Sequence, residues 1–155
     1  MKIKLINPNT TLEMTESIRL AAEKYKAAGT EIIAVSPKTG PDSIETFVDD
    51  YLAVPGVLKE IIDGDRKEHV DAYVIACFGD PGLKAAREVT TKPVIGIAEA
   101  AILISELIAP SFSIISVLDR SVQITRELVY GYGAERRCKS VRSTGLEVLE
   151  FNRNP

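Results

Sequence analysis

The sequence predicts an α/β fold, in which an open parallel sheet flanked by helices is followed by a second, incomplete α/β unit. Short apolar runs of strand length alternate with segments whose apolar residues have helical spacing, which is typical of a parallel sheet covered on both faces. With 155 residues, 45% of them hydrophobic, the chain can bury a core of ordinary size. The alternation restarts at Ala109–Ser111, so we expect a first domain over 1–108, carrying Cys77, and a truncated second domain over 109–155.

The first unit contains four predicted strands and four predicted helices. In order, they are a strand at Lys2–Ile6, a helix from about Thr10 to near Gly29, a strand at Glu31–Val35, a helix over 44–62, a strand over 71–76, a helix over 81–89, a strand over 93–95 and a helix over 98–108. Thr10 followed by Glu13 matches a capping box, and Pro55 with Gly56 predicts a break in the second helix. The apolar stretch 95–109 predicts a buried helix.

The second unit repeats the strand and helix pattern once. The sequence predicts a strand over 112–117, a helix over 122–130 that Gly131 and Gly133 terminate, and a further strand over 139–141. The chain then ends after at most two strands of this unit, which is why we expect it to be incomplete.

Charge and apolar length exclude two classes of partner. The net charge is −3 and the basic residues are scattered, so nucleic acid is not expected as a partner. The N-terminal apolar stretch is too short for a signal peptide and no segment is long enough to span a bilayer, so no membrane association is expected. Two cysteines without secretory context or metal-ligand spacing suit the reducing cytoplasm and predict no metal site.

The segment "IACFGDPGL" (75–83) places Cys77 between a strand and the start of a helix. In an open parallel sheet, ligands bind at the carboxyl ends of the strands. Asp80 is a suitable N-cap and Pro81 is favoured at the first helical position, so we expect the helix N-terminus to lie near the sulfur and favour the thiolate, the form that acts as base or nucleophile. The alternative is that Cys77 fills the core, as buried cysteines commonly do.

Polar residues also follow the first strand, in the loop over 7–11 that contains Asn7, Asn9 and Thr10. Their amides and hydroxyls, beside free backbone N–H groups, are suitable for holding carbonyl oxygens or a carboxylate. The alternative is that they only form a turn and a cap. Glu99, after the fourth strand, is a third candidate, although the helix dipole alone explains a carboxylate at that position.

Three motifs, "INPNTT" (6–11), "IACFGDPGL" (75–83) and "GIAEAA" (96–101), together resemble the aspartate/glutamate racemase superfamily, most closely its hydantoin and allantoin racemase branch. The resemblance spans nearly the whole chain. It implies a cofactor-independent enzyme of two similar α/β domains that face each other across a cleft and contribute one cysteine each. One thiolate removes the proton from the chiral carbon of the substrate, and the other thiol delivers a proton to the opposite face.

The resemblance also implies roles for particular residues. Cys77 matches the first catalytic cysteine. The implied substrate-binding residues lie in the first loop, in the turn beside the thiol and, more loosely, elsewhere on the pocket wall: Asn7, Asn9, Thr10, Ser43, Gly79, Asp80 and Glu99. The partner is then a small-molecule substrate, which is a hydantoin, allantoin or an amino-acid-like compound.

The chemistry of such substrates fits these residues. Hydantoins and allantoin carry a proton on a carbon next to a carbonyl, and its removal by a thiolate leaves an enolate-like anion that needs hydrogen-bond donors. Backbone N–H groups and the side chains of Asn9 and Thr10 could supply these donors, and no metal or other cofactor is required. The single histidine, His69, precedes the third strand and is expected on the surface at the other end of the sheet.

Several features depart from the family's pattern. The second cysteine normally follows a later strand, but here the chain ends first, and Cys138 precedes a strand, at the opposite end of its sheet. Residues 117–119 stand where relatives have threonines, for which Ser116 or Ser121 compensates only weakly. The C-terminal helix that covers the first domain in the family is also missing. Apolar surface is then exposed unless another subunit covers it, so we expect a homo-oligomer.

These departures leave the function open at this point. The leading hypothesis is a racemase of the hydantoin or allantoin type, either active or inactive as this fragment. The alternatives are a decarboxylase or cis–trans isomerase of small dicarboxylates on the same scaffold, and a non-catalytic small-ligand-binding or interaction domain. A nucleotide-binding or receiver domain does not fit, because the first loop lacks a glycine-rich phosphate motif and the acidic cluster of a receiver.

Overall fold

The chain folds into two parallel sheets flanked by helices. The computed structural model describes the backbone of residues 1–153 and the side chains of residues 1–150. Its strands are β1 (Lys2–Ile6), β2 (Glu31–Val35), β3 (Ala72–Ile75), β4 (Val94–Gly96), β5 (Phe112–Ser116) and β6 (Cys138–Ser143). Its helices are α1 (Leu12–Tyr25), α2 (Phe47–Asp63), α3 (Leu83–Val89), α4 (Ile97–Ile108), α5 (Asp119–Gly131) and α6 (Val148–Arg153), with a π-helical turn at Gly64–Glu68. The predicted α/β fold is confirmed.

The larger sheet has the strand order β2-β1-β3-β4, and all of its strands are parallel. In its register, Ile6 at the end of β1 lies between Val35 of β2 and Ile75 of β3. Three strands therefore end at one edge, and the loops that follow them meet there. The smaller sheet pairs β5 with β6, also in parallel.

The core of the larger sheet lies between its strands and helices α2 and α3. Val57 and Ile61 of α2 are fully buried against Ile6 and Ile75. Tyr73 is fully buried beside them, and its hydroxyl donates a hydrogen bond to the carbonyl oxygen of Ile61 at 3.1 Å. Burial of such side chains supplies the main stabilising free energy of the unit.

A lysine is also enclosed on this face of the sheet. Lys4 of β1 is 0% exposed, and its ammonium lies 3.0 Å from the carboxylates of both Glu60 and Glu68. It also donates to the carbonyl oxygen of Glu60 at 3.0 Å. Buried charges are tolerated when they are paired and hydrogen-bonded in this way.

The predicted capping box of Thr10 and Glu13 is wrong. Helix α1 begins at Leu12, and the Thr10 hydroxyl donates to the Asp42 carboxylate at 2.8 Å instead. The backbone N–H of Thr10 also donates a hydrogen bond to the carbonyl oxygen of Pro41. Thr10 is therefore held by the loop at 41–42 and does not cap the helix, although the local pattern predicted that it would. The helix ends four residues before the predicted Gly29, at Tyr25.

Helix α2 begins later than predicted and has no break. Thr46 and Asp49 form a capping box that sets its start. Pro55 lies inside the helix, on the solvent side, as does Tyr51 one turn earlier. Proline has no backbone N–H to donate to the Tyr51 carbonyl oxygen one turn earlier. Because that carbonyl is on the solvent side, it can accept a hydrogen bond from water, and the helix continues through Pro55 and Gly56.

Helix α4 is buried on one side only. Ile102 packs with Ile114 of β5 and Val129 of α5 in the core of the smaller sheet. By contrast, Leu107 and Ile108 are 84% and 78% exposed. The predicted burial of the whole helix is therefore wrong, because its apolar residues extend around more of its circumference than the described residues cover.

The boundary between two domains at residue 108 stays a prediction, since α4 contacts the second core as well as β4. No helix within residues 1–153 has both the length and the apolar character needed to cross a bilayer.

Candidate active site

The carboxyl ends of β1, β3 and β5 surround a cavity of about 270 Å³. Loops that follow β1 and β3 form one side, and the end of β5 with the first turns of α5 forms the other. The polar residues that line it are Asn7, Asn9, Asp50, Cys77, Ser116, Ser121 and Thr125. This is the edge at which parallel sheets bind ligands.

Half of the eight predicted site residues reach this cavity. The residues that line it are Asn7, Asn9, Cys77 and Gly79, and the residues outside its lining are Thr10, Ser43, Asp80 and Glu99. The carboxylate of Glu99 pairs with the Arg87 guanidinium at 3.1 Å, and Thr10 bonds to Asp42. Both side chains are thus engaged in contacts away from the cavity.

Two donors fix the orientation of the Asn9 amide. Its oxygen accepts hydrogen bonds from Asn7 Nδ2 at 2.8 Å and from the backbone N–H of Thr11 at 3.0 Å. Asn7 Nδ2 is itself held by Thr15 Oγ1 at 3.0 Å. Asn9 Nδ2 is left with the Met14 sulfur at 3.4 Å, which is a weak acceptor. Asn9 can therefore donate a hydrogen bond to a ligand, and Asn7 positions it.

Cys77 is half-buried directly beyond β3, and it lines the cavity. Burial, together with the nearby carboxylates of Asp50 and Asp80, raises the pKa of Cys77 to about 12, against the opposing hydrogen bond from the Gly79 backbone N–H. The predicted stabilisation of the thiolate is therefore wrong. Helix α3 begins only at Leu83, and the one backbone hydrogen bond that favours the thiolate, from Gly79, does not outweigh burial and the two carboxylates. The resting form is the neutral thiol.

Asp80 caps helix α4, whereas the sequence predicted it as the cap of the helix after Pro81. Its carboxylate accepts hydrogen bonds from the backbone N–H groups of Ala98 at 3.0 Å and Glu99 at 2.7 Å. It also accepts one from the Tyr132 hydroxyl at 2.7 Å. Asp80 thus ties together the turn after β3, the start of α4 and the end of α5.

The backbone explains why Asp80 caps the more distant helix. Asp80 has a positive φ of 46° and Gly82 one of 70°, so the chain turns twice before α3 begins. The carboxyl group then lies within 2.4 Å of the position that a Cβ atom on Gly96 would take. Only glycine leaves room for this contact. A local motif gives no indication of such a contact between loops.

Asp50 lies beside the thiol, and the sequence analysis missed it. Its Oδ1 atom is 3.0 Å from the position that a Cβ on Gly79 would take, and Cys77 Sγ is 3.7 Å from the same point. Within the part of the chain that the structure describes, this buried oxygen has no hydrogen-bond partner. Burial, and secondly the charge of Asp80, raises the pKa of Asp50 to about 6.

A sequence signal for Asp50 exists. Asp50 lies three, seven and eleven residues before the buried Ala53, Val57 and Ile61, on the stripe of α2 that faces the protein interior. A carboxylate on an apolar stripe is a candidate functional group, because burial of an unpaired charge is unfavourable. Its position in the first turn of the helix, where acids are common, hides the signal.

The second unit closes the cavity through a contact at Glu45. This buried carboxylate accepts hydrogen bonds from Arg120 at 3.0 Å and from the backbone N–H of Val148 at 2.9 Å. The backbone carbonyl oxygen of Glu45 accepts a hydrogen bond from the Ser121 hydroxyl at 2.9 Å. Glu45 therefore holds the first turn of α5 over the site, and no sequence motif indicates this role.

The hydroxyl groups of the second unit differ in their availability. Ser116 and Ser121, predicted as weak substitutes for the threonines of relatives, both line the cavity. The hydroxyl of Ser121 donates a hydrogen bond to Glu45, whereas among the described residues the Ser116 hydroxyl has one hydrogen-bond partner, the Thr125 hydroxyl at 3.4 Å. Thr125 is a further lining residue that the sequence analysis missed.

Cys138 and His69 lie away from the site, as the sequence predicted. Cys138 is the first residue of β6, at the end of the strand opposite to the cavity, and its sulfur lies 3.6 Å from the carbonyl oxygen of Ser140. His69 is exposed at the turn before β3. Among the described residues, no three His, Cys, Asp or Glu side chains are grouped as metal ligands.

Comparison with known proteins places this geometry in a family. The model of the Asp/Glu/hydantoin racemase family matches residues 3–155. The hydantoin racemase of Pseudomonas sp. (strain NS671) is 52% identical over 155 residues, which are 100% of this chain and 62% of that protein. The hydantoin racemase of Rhizobium meliloti is 49% identical and is covered to 64%, again with 100% of this chain.

A solved structure gives the same result for the fold. The allantoin racemase from Klebsiella pneumoniae superimposes with a TM-score of 0.96 at 47% sequence identity, and the match covers 99% of this chain and 62% of that chain. The chain thus spans less than two thirds of the length of these relatives.

Proposed function

The chain belongs to the Asp/Glu/hydantoin racemase family, and on this premise we propose that it acts on a small cyclic ureide of the hydantoin or allantoin type, as a cofactor-independent racemase. Racemisation uses two acid–base groups, one on each face of the chiral carbon, and among the described lining residues Cys77 is the thiol that can serve as one of them, so this chain is expected to carry out the proton transfer on one face. The observation that carries the proposal is that a thiol and a fixed amide donor, Asn9, line one cavity at the carboxyl edge of a parallel sheet.

The proposed reaction is the transfer of a proton to and from a carbon next to a carbonyl. A base removes this proton, and the negative charge moves to the carbonyl oxygen, where Asn9 Nδ2 can donate a hydrogen bond. The Cys77 thiol then delivers its proton to the carbon. Because racemisation runs in both directions through one intermediate, Cys77 removes a proton when the reaction is reversed.

The lining of the cavity favours a neutral substrate. Its polar residues are amides, hydroxyls, the thiol and one carboxylate, and no lysine or arginine is among the described lining residues. A dicarboxylate would bring two carboxylates to a cavity in which Asp50 is the charged group and no described cation can pair with them. A hydantoin ring offers carbonyl and N–H groups instead, which amides and hydroxyls can bind.

The test is hydrogen exchange on each enantiomer of a 5-substituted hydantoin. Incubated in deuterium oxide, the chain is expected to exchange the C5 proton of one enantiomer above the spontaneous rate, with configuration retained, since Cys77 is the only cysteine in the described cavity lining. Proton NMR follows exchange and polarimetry follows inversion. Inversion as fast as exchange would indicate a second acid–base group at the site.

Two variants make this test specific. Cys77→Ser is expected to abolish exchange, because a hydroxyl is a much weaker acid than a thiol, so it delivers its proton poorly and almost never reaches the ionised form that removes one. Cys138→Ser is the matched control and is expected to retain it, since Cys138 lies at the far end of β6. Exchange in neither enantiomer by the unmodified chain would refute the proposal.

We also propose that the protein is a homo-oligomer in the cytoplasm. The exposed face of α4 carries Leu103, Ile104, Leu107 and Ile108, which are 46% to 84% exposed, and a second copy could cover them. Sedimentation is expected to show at least a dimer, and Leu107→Asp a smaller species.

The cytoplasm is proposed because catalysis by Cys77 needs a reduced thiol.

The absence of a cofactor is likewise a proposal with a direct test. Proton transfer by a thiol needs no metal, so dialysis against a chelator is expected to leave the exchange rate unchanged. A rate that fell on dialysis and returned with a divalent metal would contradict it.

A further inference from the structure

Asp50 is the charged group for which neither the fold nor the proposed reaction supplies a role. It lies on the buried stripe of α2, yet its Oδ1 atom has no hydrogen-bond partner among the described residues. The buried charges among the described residues have partners: Lys4 pairs with Glu60 and Glu68, Glu45 pairs with Arg120, and Asp80 accepts three hydrogen bonds. An unpaired carboxylate at such a position destabilises the fold, so its presence calls for a function.

The position of Asp50 connects it to the thiol. Asp50 and Gly79 line both the cavity of Cys77 and a second cavity of about 600 Å³ between α2, α3 and α5. Asp50 Oδ1 and Cys77 Sγ lie within 4 Å of one common point at Gly79. Two negative charges this close in a partly enclosed site repel strongly.

We propose that Asp50 and Cys77 form a coupled pair that carries one negative charge between them, so that Asp50 sets the protonation state that Cys77 presents to the substrate. When the thiol ionises, the Asp50 carboxylate takes up a proton, and when Asp50 ionises, Cys77 holds one. The exchange moves a single proton from sulfur to oxygen and leaves the total charge unchanged. The inference rests on the proposed function, in which Cys77 transfers protons, and Asp50 acts in it as a positioning residue.

Among the described groups around Cys77, Asp50 is the one that is free to take up a proton when the thiol ionises. Asp80 is the other carboxylate beside Cys77, but it already accepts three hydrogen bonds, from the start of α4 and from Tyr132. The remaining described walls of the Cys77 cavity, from the β1 loop, β5 and α5, carry no charged side chain. The second cavity adds Lys84, Arg87, Glu99 and Glu127, of which Arg87 pairs with Glu99.

Asp50 can also gain and lose protons near neutral pH. Burial and the charge of Asp80 raise its pKa to about 6, whereas the pKa of Cys77 stands at about 12. The second cavity is lined by Tyr51 and Phe47, which are 70% and 36% exposed, so it provides a route for protons from solvent to Asp50.

The test is the pH profile of Cys77 alkylation in the unmodified chain, in Asp50→Asn and in Asp50→Glu. Peptide mass spectrometry after timed iodoacetamide treatment measures Cys77 and Cys138 in the same sample, so Cys138 is an internal reference. The thiolate is the reacting form, so each unit by which the Cys77 pKa falls raises its rate at neutral pH about tenfold. Asp50→Asn is expected to accelerate Cys77 by about tenfold or more, with Cys138 unchanged.

The conservative variant separates charge from shape. Asp50→Glu keeps the carboxylate and is expected to leave Cys77 slow. An unchanged Cys77 profile in Asp50→Asn would overturn the proposal, and so would acceleration in Asp50→Glu equal to that in Asp50→Asn. Failure of hydantoin exchange together with a shifted profile would refute the proposed function and leave the coupling intact.

A second measurement does not depend on a variant. Iodoacetate places a negative charge on Cys77, whereas iodoacetamide adds a neutral group of nearly the same shape. Coupling predicts that the pKa of Asp50, followed by carbon-13 NMR of its carboxyl group, rises after carboxymethylation and not after carbamidomethylation. Equal Asp50 titrations in the two adducts would overturn the proposal.

Discussion

The regions around Lys4 and Asp50 enclose charged side chains in opposite ways. Lys4 is fully buried between the carboxylates of Glu60 and Glu68, each 3.0 Å away. The buried oxygen of Asp50 has no hydrogen-bond partner among the described residues, and its charged neighbour Asp80 has the same sign. The first charge is neutralised by the fold, and the second is left to be neutralised by a proton.

The difference separates a structural charge from a functional one. A paired charge keeps one protonation state, because any change would break its ion pairs. An unpaired carboxylate changes state within the physiological range, which is the property that a site of proton transfer needs. The Lys4 cluster is enclosed beneath α2, whereas Asp50 lies at the carboxyl edge of the sheet, where ligands bind.

The largest expected effect is the loss of the paired charge. Lys4→Met leaves Glu60 and Glu68 next to each other without a cation, and we expect it to lower the free energy of unfolding by about 3 kcal/mol. Urea denaturation near neutral pH measures this change. Lys2→Met is the matched control on the same strand, since the Lys2–Glu31 pair is exposed, and its effect should stay below about 0.5 kcal/mol. Equal losses of unfolding free energy in Lys4→Met and Lys2→Met would contradict the structural role of the buried Lys4 pairs.

The second effect concerns the carboxylate that is hydrogen-bonded. Asp80→Ala leaves the N–H groups of Ala98 and Glu99 and the Tyr132 hydroxyl without their acceptor, so we expect a loss of about 2 kcal/mol. The measurement is again urea denaturation, with the exposed Asp42→Ala as the control. A loss no greater than that of the control would show that Asp80 is not a structural acid.

The smallest expected effect has the opposite sign. Asp50 has a folded-state pKa of about 6, above its ordinary value of 3.8, so its contribution favours folding below about pH 4 and is lost as the pH rises through 6. Asp50→Asn removes this penalty and should stabilise the protein near pH 7.5 by about 1 to 2 kcal/mol, after allowance for partial exposure. The gain should vanish near pH 4. A variant less stable than the parent at both pH values would contradict the account.

The fold was largely predictable because its signals are local. The strands Lys2–Ile6 and Glu31–Val35 have the bounds that their patterns predict. The errors arise where distant segments compete with a local pattern. Thr10 donates a hydrogen bond to Asp42 in another loop and does not cap α1. Asp80 accepts a hydrogen bond at the start of α4 and does not cap α3, the helix that follows it in the sequence. Such contacts depend on the packed fold, which single-segment patterns do not describe.

The candidate site was predictable in its position but not in its electrostatics. The carboxyl ends of the strands predicted the loop of Asn9 and the turn of Cys77, which line one cavity. Burial, and after it the charges of Asp50 and Asp80, raises the pKa of Cys77. Asp50 is 27 positions earlier in the sequence and comes close only through packing of α2. Helical spacing places Asp50 on the buried stripe of α2, but it does not show that this stripe packs beside the turn of Cys77, so the expected thiolate was wrong.

The titration of Asp50 tests the central claim most directly. Carbon-13 NMR of the side-chain carboxyl groups, assigned by the signal that disappears in Asp50→Asn, gives its pKa in the folded chain. The account predicts a midpoint of about 6, because the carboxylate is buried beside Asp80. A midpoint at the ordinary 3.8 would show that Asp50 is solvated or paired, and would remove the basis for its coupling to Cys77.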